Sequence, residues 1–258
     1  MNQLKALIFD VDGTLAETER DGHRVTFNRA FTAAGLDWEW SVEQYGELLA
    51  VTGGKERIWS YLQQYHPNFE PPIAEISTKE WIAQLHAAKT AYYTELLRQG
   101  GIALRPGVLR LLTESKAAGM RLAIATTTTP ANVTALLEAA LPDGLGWFEV
   151  IAAGDIVPAK KPAPDIYHYA LQQLQLEPQD CLAFEDSEAG LKSAQQANLT
   201  TVITVNDYTR SQDFSGAALV LNHLGEPELP FEVIAGSAES STYFDLALAK
   251  NLLNPVRH

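Results

Sequence analysis

The sequence predicts an α/β fold: a parallel sheet with helices on both faces, into which an all-helical segment is inserted after the first strand. Three observations carry that prediction. The run "LKALIFD" at residues 4–10 is apolar with no helical period, as in a strand buried on both faces. Helical spacing without a strand then holds to about residue 100. Beyond Gly100-Gly101 short apolar runs alternate with helical ones, and repeated βα units build a parallel sheet.

In the insert, Phe27, Ala30, Phe31 and Ala34 lie at i, i+3, i+4, i+7 and are stopped by Gly35; Ile58, Tyr61, Leu62 and Tyr65 repeat the spacing after Gly53-Gly54. "STKE" at 77–80 has the form of a capping box and opens a longer helix whose apolar face reads Trp81, Leu85, Ala88, Tyr92, Leu96. Trp38 and Trp40 are expected in the core of this segment rather than at a ligand. After the glycine pair come a helix from Val108 to Ala118, the strand "RLAIAT", a helix from Pro130, the strand "EVIAA", a helix from Pro164, the strand "CLAFE", a helix to Ala197, and strands "TTVITV" and "ALVL". The expected domains are therefore 1–15 with 100–258 as a discontinuous core, and 16–99 as the inserted unit.

A length of 258 residues suits one large core with a smaller insert, and 46% hydrophobic content is that of a globular chain. The net charge of −13, without a Lys/Arg run, argues against nucleic acid or an anionic membrane as partner, so an anionic ligand needs a locally basic site. The single cysteine, Cys181, excludes an internal disulfide and suits a reducing compartment. No apolar stretch approaches 18 residues and no basic-then-apolar leader is seen, so the expected compartment is the cytoplasm, or a plastid stroma if a transit peptide has been removed; a monomer is expected.

In a parallel α/β sheet the ligand crevice lies at the carboxyl ends of the strands. Asp10 and Asp12 follow the first strand, Thr126 to Thr129 the second, Lys160-Lys161 the third and Glu185-Asp186 the fourth, so four distant segments should meet at one edge. Carboxylates so close repel unless a cation compensates, and hard oxygen ligands of this kind select Mg²⁺. With Asp10, Asp12, Glu185 and Asp186 around the ion, Asp10 is placed to attack phosphorus and form an aspartyl-phosphate. Asp12, one step further into the turn, is placed to pass a proton to the leaving alcohol and take one from water. Gly13 permits a tight turn, and the Thr126 hydroxyl and Lys161 ammonium can cover phosphoryl oxygens, with Thr127 and Thr128 nearby. In the insert, "TGGKER" opens a helix where Thr52, Gly53, Gly54, Lys55 and Arg57 form an expected anion site for a second phosphate. Glu19 and His23, at i and i+4, are expected to face the crevice and bond sugar hydroxyls or assist proton transfer.

"DVDGT", a strand ending in Thr126, Lys161 before a proline and "FEDSEAG" resemble, in order and spacing over residues 10–190, the four motifs of the haloacid dehalogenase-like superfamily of phosphohydrolases. The resemblance implies a Rossmann-like core with a helical cap of the C1 type, Mg²⁺ dependence, Asp10 as nucleophile and Asp12 as general acid/base. "GTLAETE", "TGGKER", "ATTT" and "AAGDIVPAKKPAPDIY" are most similar to the CbbY group, phosphatases of pentulose bisphosphates such as xylulose 1,5-bisphosphate. The expected activity is thus hydrolysis of a small anionic sugar (bis)phosphate. The rivals are a β-phosphoglucomutase-like phosphomutase, against which Pro130 stands where such enzymes tend to carry a polar residue, and a non-catalytic phospho-receiver, against which the large cap speaks.

Overall fold

The computed structural model describes residues 3–51, 53–72, 75–141 and 144–254. The chain forms two compact units, Met1–Glu17 with Ile102–His258, and Thr18–Gly101. Among the described residues no helix is long and apolar enough to cross a membrane.

The first unit is built on a seven-stranded sheet of strands β1 (Ala6–Phe9), β2 (Arg121–Thr126), β3 (Val150–Ala153), β4 (Cys181–Glu185), β5 (Thr200–Thr204), β6 (Leu219–Leu221) and β7 (Val233–Gly236). Their order is β3-β2-β1-β4-β5-β6-β7, parallel throughout except for the β6–β7 pair. All four residues of β1 are buried, which explains an apolar run without alternation. Helices α5 (Val108–Ala117), α6 (Pro130–Ala140), α7 (Asp165–Leu174) and α8 (Glu188–Gln196) connect the strands. Thr129 caps α6 by accepting from Asn132 N, and Pro130 sits at the start, where its missing N–H costs nothing. The segment after residue 222, without a clear pattern in the sequence, supplies β7 and α9 (Leu246–Leu253), and α9 lies beside α5. Every residue of β7 is exposed, so its apolar content marks no core face.

Cys181 is fully buried in a cluster with Ile8, Ala123, Ala170 and Ala194. Burial, with the Asp180 charge, pushes its thiol up to about 12. Iodoacetamide at pH 8 is therefore expected to leave the folded protein unlabelled and to alkylate one site after denaturation, as read by intact mass; rapid native labelling would contradict the burial.

The second unit is all helical: a π-helical turn at Thr18–His23 running into α1 (Arg24–Ala33), then α2 (Val42–Leu48), α3 (Gly54–Tyr65) and α4 (Thr78–Arg98). Ser77 and Glu80 form the capping box of α4 in full. Trp38 and Trp40 are buried, packed on Phe31, with Trp38 also against Trp81 and Trp40 against Phe27. The buried face of α4 departs from the expected one. It runs Trp81, Leu85, Lys89, Tyr93, Leu97, whereas Ala88 is exposed. A lysine takes the interior row because its ammonium finds partners there: Nζ lies 2.7 Å from His23 Nδ1 and over the rings of Phe27 and Tyr93.

Candidate active site and metal centre

Strand register brings the polar residues to one level. Phe9 pairs with Phe184 and with Ile124, so Asp10 leaves β1 beside Glu185, and its N–H donates to Phe184 O at 3.0 Å. The carboxylates of Asp10, Glu185 and Asp186 each offer an oxygen within 4.8 Å of the others, and all three residues are buried. Asp12 stands outside this triad in the half-buried turn that follows. Gly13 holds that turn at φ +80°, a conformation that favours glycine.

Lys161, from the loop after β3, reaches into the triad. Its Nζ lies 2.6 Å from Asp10 Oδ1 and 2.5 Å from Glu185 Oε1, and donates to Ala125 O at 2.9 Å. Three donors meet three acceptors. Burial works against this ammonium, but the charges of Asp10 and Glu185 outweigh it and hold its pKa above the lysine range. For Glu185 the balance is reversed: burial raises its pKa although Lys161 opposes, because one ammonium serves two carboxylates. Asp186 is pushed well above the usual carboxylate range by burial, then by Asp10 and Glu185, with the Asn206 hydrogen bond opposing. Three buried carboxylates with one lysine are short of positive charge, and a hard divalent cation with oxygen ligands fits that donor set.

Thr126 ends β2, is buried, and accepts from Thr128 N at 3.3 Å. Thr127 is exposed, and Thr128, half-buried, accepts from Asn132 Nδ2. Two residues of this site escaped the sequence reading. Tyr167 Oη donates to Glu185 Oε1 at 2.5 Å, and Asn206 Nδ2 donates to Asp186 Oδ2 at 2.7 Å. Tyr167 reads as one more apolar position on α7 beside Ile166 and Ala170, and Asn206 as a loop residue after β5.

The remaining candidates belong to the helical unit. Thr52 lies outside the described residues. Gly53 precedes α3 at φ +95°, and a side chain on it would strike the Glu56 carboxylate, while one on Gly54 would strike the His86 ring. Lys55 is exposed at this helix start. Arg57, expected beside it as an anion ligand, turns inward. Its Nε donates to Leu48 O at 3.2 Å, Nη1 to Tyr45 Oη at 2.8 Å and Nη2 to Val51 O at 3.4 Å. The cause is helical period, since Arg57 shares the buried face with Ile58, Tyr61 and Leu62. Tyr45 Oη passes the chain on to Glu19 Oε2 at 2.6 Å.

His23 stacks on Tyr93 with ring centres 4.0 Å apart. An ammonium has no lone pair, so the Lys89 contact makes Nδ1 the acceptor and the ring neutral. Burial lowers the His23 pKa well below its usual value, and Lys89, Arg57 and His86 add to the shift. A group neutral when folded and protonated when unfolded binds its extra proton only in the unfolded chain, so stability falls as pH drops below about 6.5. His23→Gln should flatten that decline by up to about 1.4 kcal/mol per pH unit, measured by urea unfolding across pH; parallel slopes for the two proteins refute it.

Comparison with known proteins places the chain. Residues 4–198 match the family model for haloacid dehalogenase-like hydrolases. The chain belongs to the haloacid dehalogenase-like hydrolase family. Within this family it is 53% identical to protein CbbY of Rhodobacter capsulatus over 235 residues, 88% of this chain and all of that one. The plasmid-borne CbbY of Cupriavidus necator is 48% identical over 88% of each chain. The crystal structure of CbbY from Rhodobacter sphaeroides in complex with phosphate superposes with a TM-score of 0.71 at 46% identity, covering 86% of this chain and 95% of that one. A D10N mutant of the same protein was solved with xylulose-(1,5)bisphosphate at the same similarity. The protein is a CbbY-like phosphatase of the haloacid dehalogenase-like family.

Proposed function

We propose that this phosphatase hydrolyses a small sugar bisphosphate, xylulose 1,5-bisphosphate or a close relative, with Mg²⁺ and through a phospho-aspartate on Asp10. The observation that carries the reading is the meeting of Asp10, Glu185, Asp186 and Lys161 at the sheet edge, in a chain 46% identical to a CbbY solved with that bisphosphate. Asp10, Glu185 and Asp186 would hold the cation, with Asp12 in the turn beside them. When bound, the ion lets the carboxylates stay ionised and neutralises the incoming phosphoryl dianion. An Asp10 carboxylate oxygen attacks phosphorus as the bond from phosphorus to the sugar oxygen breaks, and Asp12 gives its proton to the departing alkoxide. Asp12 then takes a proton from water, whose oxygen attacks the phospho-aspartate; phosphate leaves and Asp10 is restored. Lys161 and Thr126 donate to phosphoryl oxygens as charge builds on them. In the helical unit, Thr52, Gly53, Gly54 and Lys55 are assigned to the second phosphate, and Glu19 and His23 to sugar hydroxyls; in the first unit, Thr127 and Thr128 are assigned to substrate binding. Arg57 acts behind them, through Tyr45 on Glu19.

Phosphate release from a panel of sugar phosphates, with Mg²⁺ and with EDTA, tests the proposal. Fastest Mg²⁺-dependent release from a pentulose bisphosphate is expected. Conversion of β-glucose 1-phosphate to an isomeric sugar phosphate, without free phosphate, would make the protein a mutase instead.

A further inference from the structure

Beside the acidic triad lies a buried cation that the proposed chemistry does not use. Arg105 stands three residues after the chain re-enters the first unit at Ile102. Its backbone N–H donates to Leu15 O at 2.8 Å, and the preceding Leu104 bridges to Ala16. The side chain is 4% exposed, and all five guanidinium N–H groups have acceptors. Nε faces Glu17 Oε1 at 2.9 Å. Nη1 donates to the carbonyl oxygens of Gly13 and, at 2.9 Å, Thr204; Nη2 donates to those of Val205 at 2.6 Å and Asn222 at 2.7 Å.

Two of these carbonyls flank Asp186. A Cβ on Gly13 would strike both the Asp186 carboxylate and the Asn206 amide, so the Gly13 turn packs directly on that pair. The Val205 carbonyl belongs to the peptide that leads into Asn206, whose Nδ2 donates to Asp186. We infer that Arg105 is a positioning residue of the active site: it locks the Gly13 turn and the Val205–Asn206 peptide together, and through them fixes how the Asp186 carboxylate meets a divalent cation. The inference rests on Asp10, Glu185 and Asp186 being the cation site. Only a planar fork suits the task. A lysine keeps the charge opposite Glu17 but offers three donors from one point, and must abandon at least two of the five acceptors. Groups that hold a metal ligand in place are typically worth about 10–100-fold in metal affinity.

The test is titration calorimetry of Mg²⁺ into the substrate-free full chain, for the wild type, Arg105→Lys, Asn206→Ala and the double variant, with circular dichroism to confirm folding. Arg105→Lys and Asn206→Ala are each expected to weaken Mg²⁺ by about 10–100-fold, and the double variant to be little worse than the poorer single, because both act through one carboxylate. A buried arginine that merely holds the fold would lower the unfolding temperature and leave Mg²⁺ affinity alone, so a folded Arg105→Lys within about twofold of wild type overturns the assignment. Fully additive losses in the double variant overturn it as well. If Arg105→Lys does not fold, Asn206→Ala decides: unchanged affinity there removes the path to Asp186. A wild type that binds no Mg²⁺ overturns the cation site itself, an outcome distinct from wild-type binding that the variants fail to disturb.

Discussion

Asp10→Asn is expected to abolish turnover while leaving the fold at least as stable as the wild type. The amide has the shape of the carboxylate, and its oxygen can still accept from Lys161, which now lies 2.6 Å from Oδ1. What it loses is the negative charge. A neutral amide oxygen is a poor nucleophile toward phosphorus, so the first bond-making step has no agent. Removal of a catalytic nucleophile cost about 10⁶-fold in kcat in a hydrolase where this has been dissected. Stability should move the other way. Asp10 is among the charges that push the Asp186 and Glu185 carboxyls upward, so deleting it relieves repulsion in a buried site. Phosphate release and thermal unfolding in EDTA, measured on both proteins, check the two halves. Full turnover by the variant rejects Asp10 as nucleophile; a variant that is inactive because it is unfolded rejects the account of the repulsion.

The parts of this site that were legible in the sequence share a physical cause. A strand buried on both faces must be apolar, so the first polar residue after it is conspicuous, and Asp10, Thr126 and Glu185 stand at such ends. Lys161 and Asp186 are legible by the motifs they sit in. The residues that were missed are those whose partners leave no trace in side-chain pattern. Four of the five Arg105 hydrogen bonds run to main-chain oxygens, which every residue has, and "LRPG" reads as an ordinary linker. Lys89 breaks an apolar helical row, and a period search therefore shifts the row to Ala88 and Tyr92 instead of burying a charge. Arg57 failed in the opposite sense. Its place after "TGGKE" suggested an exposed anion ligand, but its spacing from Ile58, Tyr61 and Leu62 already put it on the buried face. The turn Thr18–His23 is π-helical rather than α-helical, and its six residues, TERDGH, carry no apolar side chain from which a helical period can be read. β7 was invisible because none of its residues is buried, and burial is what patterning reports.

Lys161→Met should cost both stability and activity, and the stability loss should depend on Mg²⁺. The methionine fills much of the volume of the lysine stem, so packing is nearly conserved. The charge balance is not. Asp10 and Glu185 lose the ammonium at 2.6 and 2.5 Å, and the Ala125 carbonyl loses its donor at 2.9 Å. Breaking a buried ion pair by deleting one partner costs about 3–5 kcal/mol, because the remaining charge is left uncompensated. Here two carboxylates are left together, and Glu185, already held up by burial against the pull of Lys161, is driven further toward its protonated form. The sign of the pH dependence follows. A carboxyl whose folded pKa is raised binds its proton in the fold and not in the unfolded chain, so the variant recovers stability as pH falls from neutral toward 5, where the wild type does so less. If Mg²⁺ is held by these carboxylates as proposed, it would supply positive charge in place of the lysine and restore part of the loss, with kcat remaining depressed because the proposed phosphoryl donor is gone. Urea unfolding of wild type and variant in EDTA and in excess Mg²⁺, at pH 7.5 and pH 5, reads all of these effects. Equal stability losses in EDTA and Mg²⁺ would mean that the lysine and the cation do not compensate the same carboxylates.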